Sequence, residues 1–228
     1  MKKMRHLILL VVLLIPLTAT AGDDMTQTGV RVPHVYFVTT GVGQSNDGVP
    51  PAYYETFSYD EALLDAGIAD FNIMEYTSVL PKDAVAISME NAKEEFVHGA
   101  VLESIIAKAL GNKGDILVAG VGRIWAQDST GTYVGGYAAE YTRTYPAEYN
   151  LQYGYPDSSY VINKAKEQLA KSMRGELNRR NLKEYVDKDK KMTFDITSIK
   201  VEENYGVALA VLGFVSFKYA PPIVTSKK

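Results

Sequence analysis

Ser78 and the residue before it, Thr77, are the pair in this sequence with the most distinctive chemistry. A serine hydroxyl can attack the carbonyl carbon of the preceding residue, which turns that amide into an ester. Elimination would then free Thr77 as a new C-terminus, and Ser78 would become dehydroalanine and, after hydrolysis, a ketone at a new N-terminus. The attack needs a strained peptide and hydrogen-bond donors for the oxyanion that forms, and Asn72 is a candidate donor.

The same two residues also have an ordinary structural interpretation. Thr-Ser followed by Val79, Leu80 and Pro81 is a common way for a strand to end in a turn, because proline has no amide hydrogen. The dipeptide alone therefore does not decide between self-cleavage and a strand end. The decision depends on the residues around it.

Two carboxylates, Glu140 and Asp60, are candidates for a functional role. Glu140 lies in the small and apolar run at residues 135–141, Gly-Gly-Tyr-Ala-Ala-Glu-Tyr. A lone carboxyl in such surroundings has a raised pKa and can carry a proton, although on an alternating strand it could instead face solvent. Asp60 lies in the first turn of a predicted helix, where a negative charge interacts favourably with the helix dipole.

Several other classes of site are not supported by the sequence. The chain has no cysteine, which excludes disulfides, thiolate metal sites and a cysteine nucleophile. His34 and His98 are the only histidines beyond residue 21, and no nucleophile-elbow motif accompanies them, so a Ser-His-Asp hydrolase is not indicated. Gly41 and Gly43 lack the third glycine of a dinucleotide loop. No histidine and acid cluster has metal-ligand spacing, so we expect no metal site.

The first 21 residues have the pattern of a targeting segment. Lys2, Lys3 and Arg5 precede an apolar run at residues 7–17, and Ala19-Thr20-Ala21 supplies a small-residue cleavage pattern. The run is too short to span a bilayer, which takes roughly 20 apolar residues. We predict a cleavable signal peptide at residues 1–21 and export to the periplasm or beyond the cell. The alternative is an anchor that is never cut.

The charge and composition of residues 22–228 indicate one acidic globular domain. The chain has 24 Lys and Arg against 27 Asp and Glu, and loss of residues 1–21 removes three positive charges, leaving a net charge of −6. A chain of that sign repels phosphate backbones, so we expect no nucleic-acid partner. With 46% hydrophobic residues, residues 22–228 are expected to form a single soluble domain that does not bind membranes.

Apolar and β-branched residues predict mainly strands. The predicted strands are 32–40, 71–76, 97–110, 115–126, 132–144, 192–201 and 207–217. We expect 97–110 and 115–126 to form an antiparallel hairpin around the turn at 111–114. The glycine-containing residues 41–48 are expected to form a loop.

Two helices are predicted in different parts of the chain. Ser58 and Glu61 form a capping box before a short helix at 59–65, which Gly67 ends. Ser158 is the expected cap of a longer helix that runs to about Asn181. Its apolar positions follow the three-and-four spacing of one buried face, at Ile162, Ala165, Leu169, Met173 and Leu177. Mainly strands with two separated helices indicate an α+β fold with sheet and helix layers.

Several motifs in the same order and spacing add a family resemblance. The strongest is residues 76–82, Tyr-Thr-Ser-Val-Leu-Pro-Lys, which is similar to the bacterial self-cleavage site of the pyruvoyl-dependent arginine decarboxylases. Further matching segments are residues 40–45, 48–51, 55–60, 62–64, 98–103, 135–141 and 212–214. The sequence resembles that family over roughly residues 33–218.

The resemblance implies roles for individual residues. Ser78 would be the precursor of a pyruvoyl cofactor, Thr77 its cleavage partner, and Asn72 a residue that assists processing. Glu140 would donate a proton after CO2 leaves. Asp60, which lies eighteen positions before Ser78, would bind the substrate guanidinium.

The resemblance also implies a pocket, a fold and an assembly. Gly43 and Ser45 would border the substrate pocket. The expected fold is a four-layer αββα sandwich, cleaved into a β chain of residues 22–77 and an α chain of residues 78–228. Such protomers form homotrimers or pairs of trimers, with active sites between neighbours.

The implied reaction converts L-arginine to agmatine and CO2. Two alternatives stay open on the sequence. The substrate could be another amino acid, such as histidine, or the chain could be an unprocessed, non-enzymatic exported binding protein.

Overall fold

Ten strands and four helices make up the part of the chain that the computed structural model describes, residues 30–48 and 57–219. The strands are β1 (Arg31–Ser45), β2 (Asn72–Glu75), β3 (Val79–Leu80), β4 (Val85–Ala86), β5 (Val101–Asn112), β6 (Ile116–Gln127), β7 (Tyr133–Tyr145), β8 (Lys183–Glu184), β9 (Thr193–Lys200) and β10 (Tyr205–Tyr219). The helices are α1 (Ser58–Asp65), α2 (Met89–Lys93), α3 (Ala147–Tyr153) and α4 (Ser158–Arg179). The predicted signal peptide lies outside the described residues.

The strands form two sheets. The first sheet has the order β2-β5-β10-β1-β4, with β10 antiparallel to both of its neighbours and β2 parallel to β5. The second sheet has the order β3-β7-β6, and both β8 and β9 pair with the free edge of β6. The two sheets are therefore built around one long central strand each, β10 and β6.

Strand β10 is buried on both faces, because it lies between two layers. Val207, Leu209 and Val211 form one buried cluster with Ala62 of α1 and with Ala66, the residue that caps the end of that helix. The alternate residues of β10 face the second sheet, since successive side chains point to opposite faces of a strand. These are Ala208, Ala210, Leu212 and Phe214.

Strand β6 is sandwiched in the same way. Its residues Leu117, Ala119 and Val121 pack on the first sheet, and Ile124 and Ala126 pack on α4. The resulting order is helices α1 and α2, first sheet, second sheet, and helix α4. This arrangement confirms the expected α+β fold with four αββα layers.

Helix α4 covers the outer face of the second sheet as predicted, except that Val161 and not Ile162 takes the first buried position. Five residues at four-residue spacing are buried, namely Val161, Ala165, Leu169, Met173 and Leu177. The cap is Asp157 and not the expected Ser158, because the Asp157 carboxylate accepts a hydrogen bond from the Tyr160 amide at 2.7 Å. Among the described residues, no helix has the combination of length and apolarity that crossing a bilayer requires.

The predicted loop at residues 41–48 is wrong over its first half, since β1 continues through Ser45. Its glycines serve helix packing. A Cβ at Gly41 would lie 2.1 Å from the carbonyl oxygen of Ala62, and one at Gly43 would lie 2.2 Å from that of Ser58. Only glycine therefore lets the backbone of α1 lie directly on β1.

The predicted hairpin between residues 97–110 and 115–126 is also wrong, because β5 and β6 belong to different sheets. The turn between them bonds to a distant segment, with the Gly114 amide donating to the Val201 carbonyl at 2.8 Å. The Asp115 carboxylate accepts from the amides of Asn112 and Ala147, at 2.8 and 2.7 Å. These bonds carry the chain from the first sheet to the second.

The capping box before α1 does not form. Ser58 is the first residue of the helix, and its buried hydroxyl has no hydrogen-bond partner among the residues that the structure describes. Phe57 occupies the cap position without a side-chain bond. The end of the helix is as predicted, because Gly67 adopts a positive φ of 72°.

Candidate active site

Residues 76–78 link the edge strand β2 of the first sheet to the edge strand β3 of the second. Both ends of this link are fixed. The Tyr76 amide donates to the Ser104 carbonyl at 2.7 Å, and the Ser78 carbonyl accepts from the Ala138 amide at 2.8 Å. Thr77 lies between these two anchors and is exposed. The Thr77–Ser78 peptide is therefore held in one place at an open flank of the sandwich.

The Ser78 hydroxyl faces the carboxylate of Glu140. The oxygen Oγ lies 3.3 Å from both Oε1 and Oε2, so the hydroxyl donates and the carboxylate accepts. Glu140 is carried by β7, the strand with which β3 pairs. These are long hydrogen bonds, but their geometry lets Glu140 take the hydroxyl proton.

The pKa of Glu140 is raised above its ordinary value. The main cause is the loss of water around the carboxyl, although part of the side chain remains exposed. The nearby charges of Glu176 and Glu75 raise it further, while hydrogen bonds from its own backbone amide and from Ser78 act in the opposite direction. A carboxyl with a raised pKa can serve as an acid closer to neutral pH.

The Thr77 carbonyl oxygen has a hydrogen-bond donor that the sequence did not indicate. The Val79 amide donates to it at 3.1 Å, which closes a three-residue turn centred on Ser78. A donor at this oxygen is suitable for stabilising the negative charge that forms when the carbonyl carbon is attacked. Every residue except proline has a backbone amide, so the sequence does not show which amide is the donor. Only the fold shows it.

Asn72 is not at this position. Its side-chain amide donates to the Gly99 carbonyl at 2.9 Å, and its backbone amide donates to Ala100. The strand β2 carries it away from Thr77, since three residues of extended chain separate it from Glu75 by about 10 Å. Within one chain, Asn72 therefore does not bond to the Thr77 carbonyl, and its role in processing stays a prediction.

Asp60 and Ser45 line an acidic cleft at the other end of the sandwich. The cleft has a volume of about 540 Å³. Its further lining residues are Gln44, Asn46, Asp47, Phe57, Glu61 and Glu203. Gly43 is packed beneath α1 beside this cleft. Among the described residues, its lining has four carboxylates and no lysine or arginine, which makes the cleft suitable for a cationic group.

The cleft and the Ser78 link are far apart in one chain. Ser45 pairs with Tyr205 of β10, whereas Ser104, which holds Tyr76, pairs with Gly213. Eight residues of extended strand separate Tyr205 from Gly213, a distance of about 26 Å. The structure thus brings Thr77, Ser78 and Glu140 together and leaves Asp60, Gly43 and Ser45 at the opposite end.

The remaining candidates contribute no further chemistry here. His98 is exposed, and its Nδ1 lies 3.1 Å from the Asp70 carboxylate. Within residues 30–48 and 57–219, no three histidine or acidic side chains are grouped as metal ligands would be.

Comparison with known proteins adds a family context to this geometry. The sequence model of the family described as pyruvoyl-dependent arginine decarboxylase matches residues 35–219. The pyruvoyl-dependent arginine decarboxylase AaxB of Chlamydia muridarum is 38% identical over 201 residues, covering 86% of this chain and 97% of the relative. The enzyme of the same name from Chlamydia caviae is 39% identical over 199 residues, covering 85% and 96%. The pyruvoyl-dependent arginine decarboxylase of Methanopyrus kandleri is 34% identical over 80 residues, 35% of this chain and 46% of that relative.

Proposed function

The chain belongs to the pyruvoyl-dependent arginine decarboxylase family, and from this premise we propose that it cuts itself between Thr77 and Ser78 and decarboxylates L-arginine to agmatine. The cofactor is a pyruvoyl group, which in this chain derives from Ser78. The observation that carries the proposal is the Ser78 hydroxyl, 3.3 Å from both carboxylate oxygens of Glu140 at the matched cleavage position.

Self-cleavage begins with the transfer of the Ser78 hydroxyl proton to Glu140. Oγ then attacks the Thr77 carbonyl carbon, and the oxyanion that forms faces the Val79 amide. When this intermediate collapses, the C–N bond breaks, the nitrogen takes up a proton, and Thr77 becomes esterified to Ser78. Loss of the Ser78 Cα proton next breaks the Cβ–Oγ bond and releases the Thr77 carboxylate. The resulting dehydroalanine takes up a proton at Cβ and becomes an imine. Water adds to this imine, and loss of ammonia leaves a ketone.

The surroundings of Ser78 fit a pyruvoyl group. The Ser78 carbonyl stays bonded to the Ala138 amide, and the pairing of β3 with β7 holds the next two residues in place. The position is half-buried and lies beside a carboxyl with a raised pKa. When present, the keto group supplies an electron sink for the bond that breaks when CO2 leaves.

Glu140 has a second task once the cofactor exists. Decarboxylation leaves a carbon that must receive a proton, and in the described residues the Glu140 carboxyl is in hydrogen-bond contact with position 78. Its raised pKa keeps more of it protonated than an ordinary glutamate at the same pH. The side chain therefore acts as a base during cleavage and as an acid during turnover.

The guanidinium of arginine is assigned to Asp60. A carboxylate can bind a guanidinium through two parallel hydrogen bonds. Because Asp60 lies at the other end of the sandwich from Ser78, we propose that a neighbouring copy supplies it, in a homotrimer or a pair of trimers. The acidic cleft around Asp60 supports this assignment, since it attracts a cationic side chain.

The place of action is assigned to the periplasm or the extracellular space. This part of the proposal rests on the signal-peptide pattern of residues 1–21 and on the Ala-x-Ala sequence at its end. Decarboxylation consumes a proton, so the activity would raise the pH around the enzyme.

An assay of agmatine formation tests the function. Purified protein incubated with arginine should release CO2 and agmatine in equal amounts, and histidine should not replace arginine. The Ser78→Ala variant should release neither product. Equal turnover of histidine and arginine would contradict the substrate assignment, and agmatine formation by Ser78→Ala would contradict the cofactor assignment.

A further inference from the structure

A buried carboxylate that the mechanism does not use lies next to the cleavage link. Glu103 of β5 is only 6% exposed, and it sits between β2 and β10, paired with Met74 and Phe214. An isolated buried charge is costly, so such a group requires partners that satisfy it. In the described residues, Glu103 has two.

The first partner is Arg31 at the start of β1. Its guanidinium forms an ion pair with the Glu103 carboxylate and also stacks on Phe217, with 3.7 Å between the guanidinium carbon and the ring centroid. Both contacts hold the arginine side chain in one orientation, since a planar guanidinium is suited to pairing and stacking at once.

The second partner is Tyr76, which directly precedes Thr77. Burial and then the neighbouring Glu103 carboxylate raise the pKa of its phenol, and its ring packs on Phe214 with centroids 5.9 Å apart. Its backbone amide is bonded to Ser104, the neighbour of Glu103. Tyr76 is thus fixed by its backbone and by its ring, with its hydroxyl beside Glu103, one residue before the bond to be cut.

We propose that Arg31, Glu103 and Tyr76 form a clamp that positions the Thr77 carbonyl for attack and afterwards holds the new C-terminus in place. The proposal rests on self-cleavage at Thr77–Ser78. Ser78 is held on β7 through Ala138, so the clamp fixes the other side of the same peptide. Because both sides of the peptide are held, the Ser78 hydroxyl and the Thr77 carbonyl lose little conformational freedom on the way to the transition state.

The clamp has a second consequence because its members fall on different pieces of the cut chain. Arg31 and Tyr76 belong to residues 22–77, and Glu103 belongs to residues 78–228. After cleavage, the Arg31–Glu103 ion pair and the contact of Tyr76 with Phe214 join the two pieces beside the new ends. They keep the Thr77 carboxylate tied to the first sheet while position 78 stays on the second.

The test uses Tyr76→Phe, which retains the ring packing and removes only the hydroxyl, and Glu103→Gln, which retains the shape and removes the charge. The matched control is Asp195→Asn, which breaks the ion pair between Asp195 and Arg123 at 2.7 Å. That pair joins β9 to β6 within one piece of the cut chain. Full-length precursors made by cell-free translation are followed over time on denaturing gels.

We expect Tyr76→Phe and Glu103→Gln to slow cutting at least about tenfold, and Asp195→Asn to cut at nearly the wild-type rate. In the uncuttable Ser78→Ala background, Tyr76→Phe should leave the melting temperature close to that of Ser78→Ala alone. That pattern separates positioning from a general loss of stability.

Cutting of Tyr76→Phe and Glu103→Gln at the wild-type rate would overturn the clamp. A slowing no greater than that of Asp195→Asn would overturn it as well, because any buried ion pair would then have the same effect. A wild-type chain that stays whole in the same experiment would instead overturn the proposed function.

Discussion

In the proposed function, Glu140 is a carboxylate for self-cleavage and an acid for turnover, so one residue has two opposite pH requirements. Its pKa is raised above the ordinary 4.5, chiefly by loss of water and then by the charges of Glu176 and Glu75. As pH falls through this raised pKa, Glu140 gains a proton and can no longer accept one from Ser78. As pH rises through it, Glu140 loses the proton that turnover requires.

Self-cleavage and turnover should therefore respond to pH in opposite directions. We expect the cutting rate of fresh precursor to fall at acid pH, and kcat of the cut enzyme to fall as pH rises. Glu140→Gln should lower both rates at least about a hundredfold, the usual contribution of a general acid or base. Gel time courses and agmatine assays across pH measure the two effects.

The control for this prediction is Glu148→Gln, which removes an exposed acid of α3. It should leave both pH profiles unchanged. If Glu140→Gln cut itself and turned over arginine at wild-type rates, Glu140 would have neither of the two roles.

Asp60 should matter for turnover and not for self-cleavage. Asn at position 60 keeps the size of the side chain but removes the charge that a guanidinium pairs with. We expect Asp60→Asn to cut itself normally and to lose arginine turnover almost completely, while Glu61→Gln in the same cleft keeps most of it. Steady-state kinetics and denaturing gels measure this difference, and unchanged turnover in Asp60→Asn would contradict the guanidinium assignment.

At the scale of elements, the glycines of β1 decide how closely the outer helix layer lies. A Cβ at Gly43 would come within 2.2 Å of the Ser58 carbonyl oxygen and 2.3 Å of the Ala62 nitrogen, and helix backbone cannot move aside cheaply. We expect Gly43→Ala to lower the free energy of unfolding by about 1–3 kcal/mol, the usual cost of overpacking.

The matched control is Gly175→Ala on α4, where the nearest atom to a new Cβ is the flexible Arg179 guanidinium at 3.3 Å. Alanine favours the helix there, so this variant should gain up to about 1 kcal/mol. Urea unfolding in the Ser78→Ala background measures both variants. If Gly43→Ala and Gly175→Ala had the same free energy of unfolding, α1 would not need a glycine beneath it.

Most elements were predictable because each has a local signal. The long helix α4 has one buried stripe, and β2, β7, β9 and β10 have apolar or β-branched runs close to the observed bounds. The predicted β5–β6 hairpin failed because the turn at residues 111–114 is held by residues 201–204, which are distant in sequence. The predicted loop at 41–48 failed because glycine indicates a loop and close helix packing equally well.

The candidate site was predictable only in part, because it too depends on contacts between residues that are distant in sequence. Family motifs singled out Ser78 and Glu140, which are 62 positions apart in sequence and 3.3 Å apart in the fold. No periodicity could have indicated the Val79 amide or the Glu103 clamp, because both depend on how the two sheets meet. The separation of Asp60 from Ser78 likewise follows from the pairing register of β1 and β10.

At the scale of the whole molecule, if Asp60 and Ser78 serve one site as proposed, their separation requires that two chains complete it. Co-expression of Asp60→Asn with Ser78→Ala tests this, since each chain supplies the residue that the other lacks. Random mixing in a cyclic assembly should restore roughly a quarter of the wild-type activity. The two variants purified separately and assayed alone are the control, and a mixed preparation with no activity would mean that both residues act from one chain.

The central claim is that the chain makes its own cofactor by breaking the Thr77–Ser78 bond. The most direct measurement is the intact mass of the purified protein under denaturing conditions, with Ser78→Ala beside it. We expect two wild-type chains, residues 22–77 and residues 78–228 with a ketone in place of the serine amine, and a single uncut chain for the variant. A single wild-type chain with an unmodified serine at position 78 would contradict it.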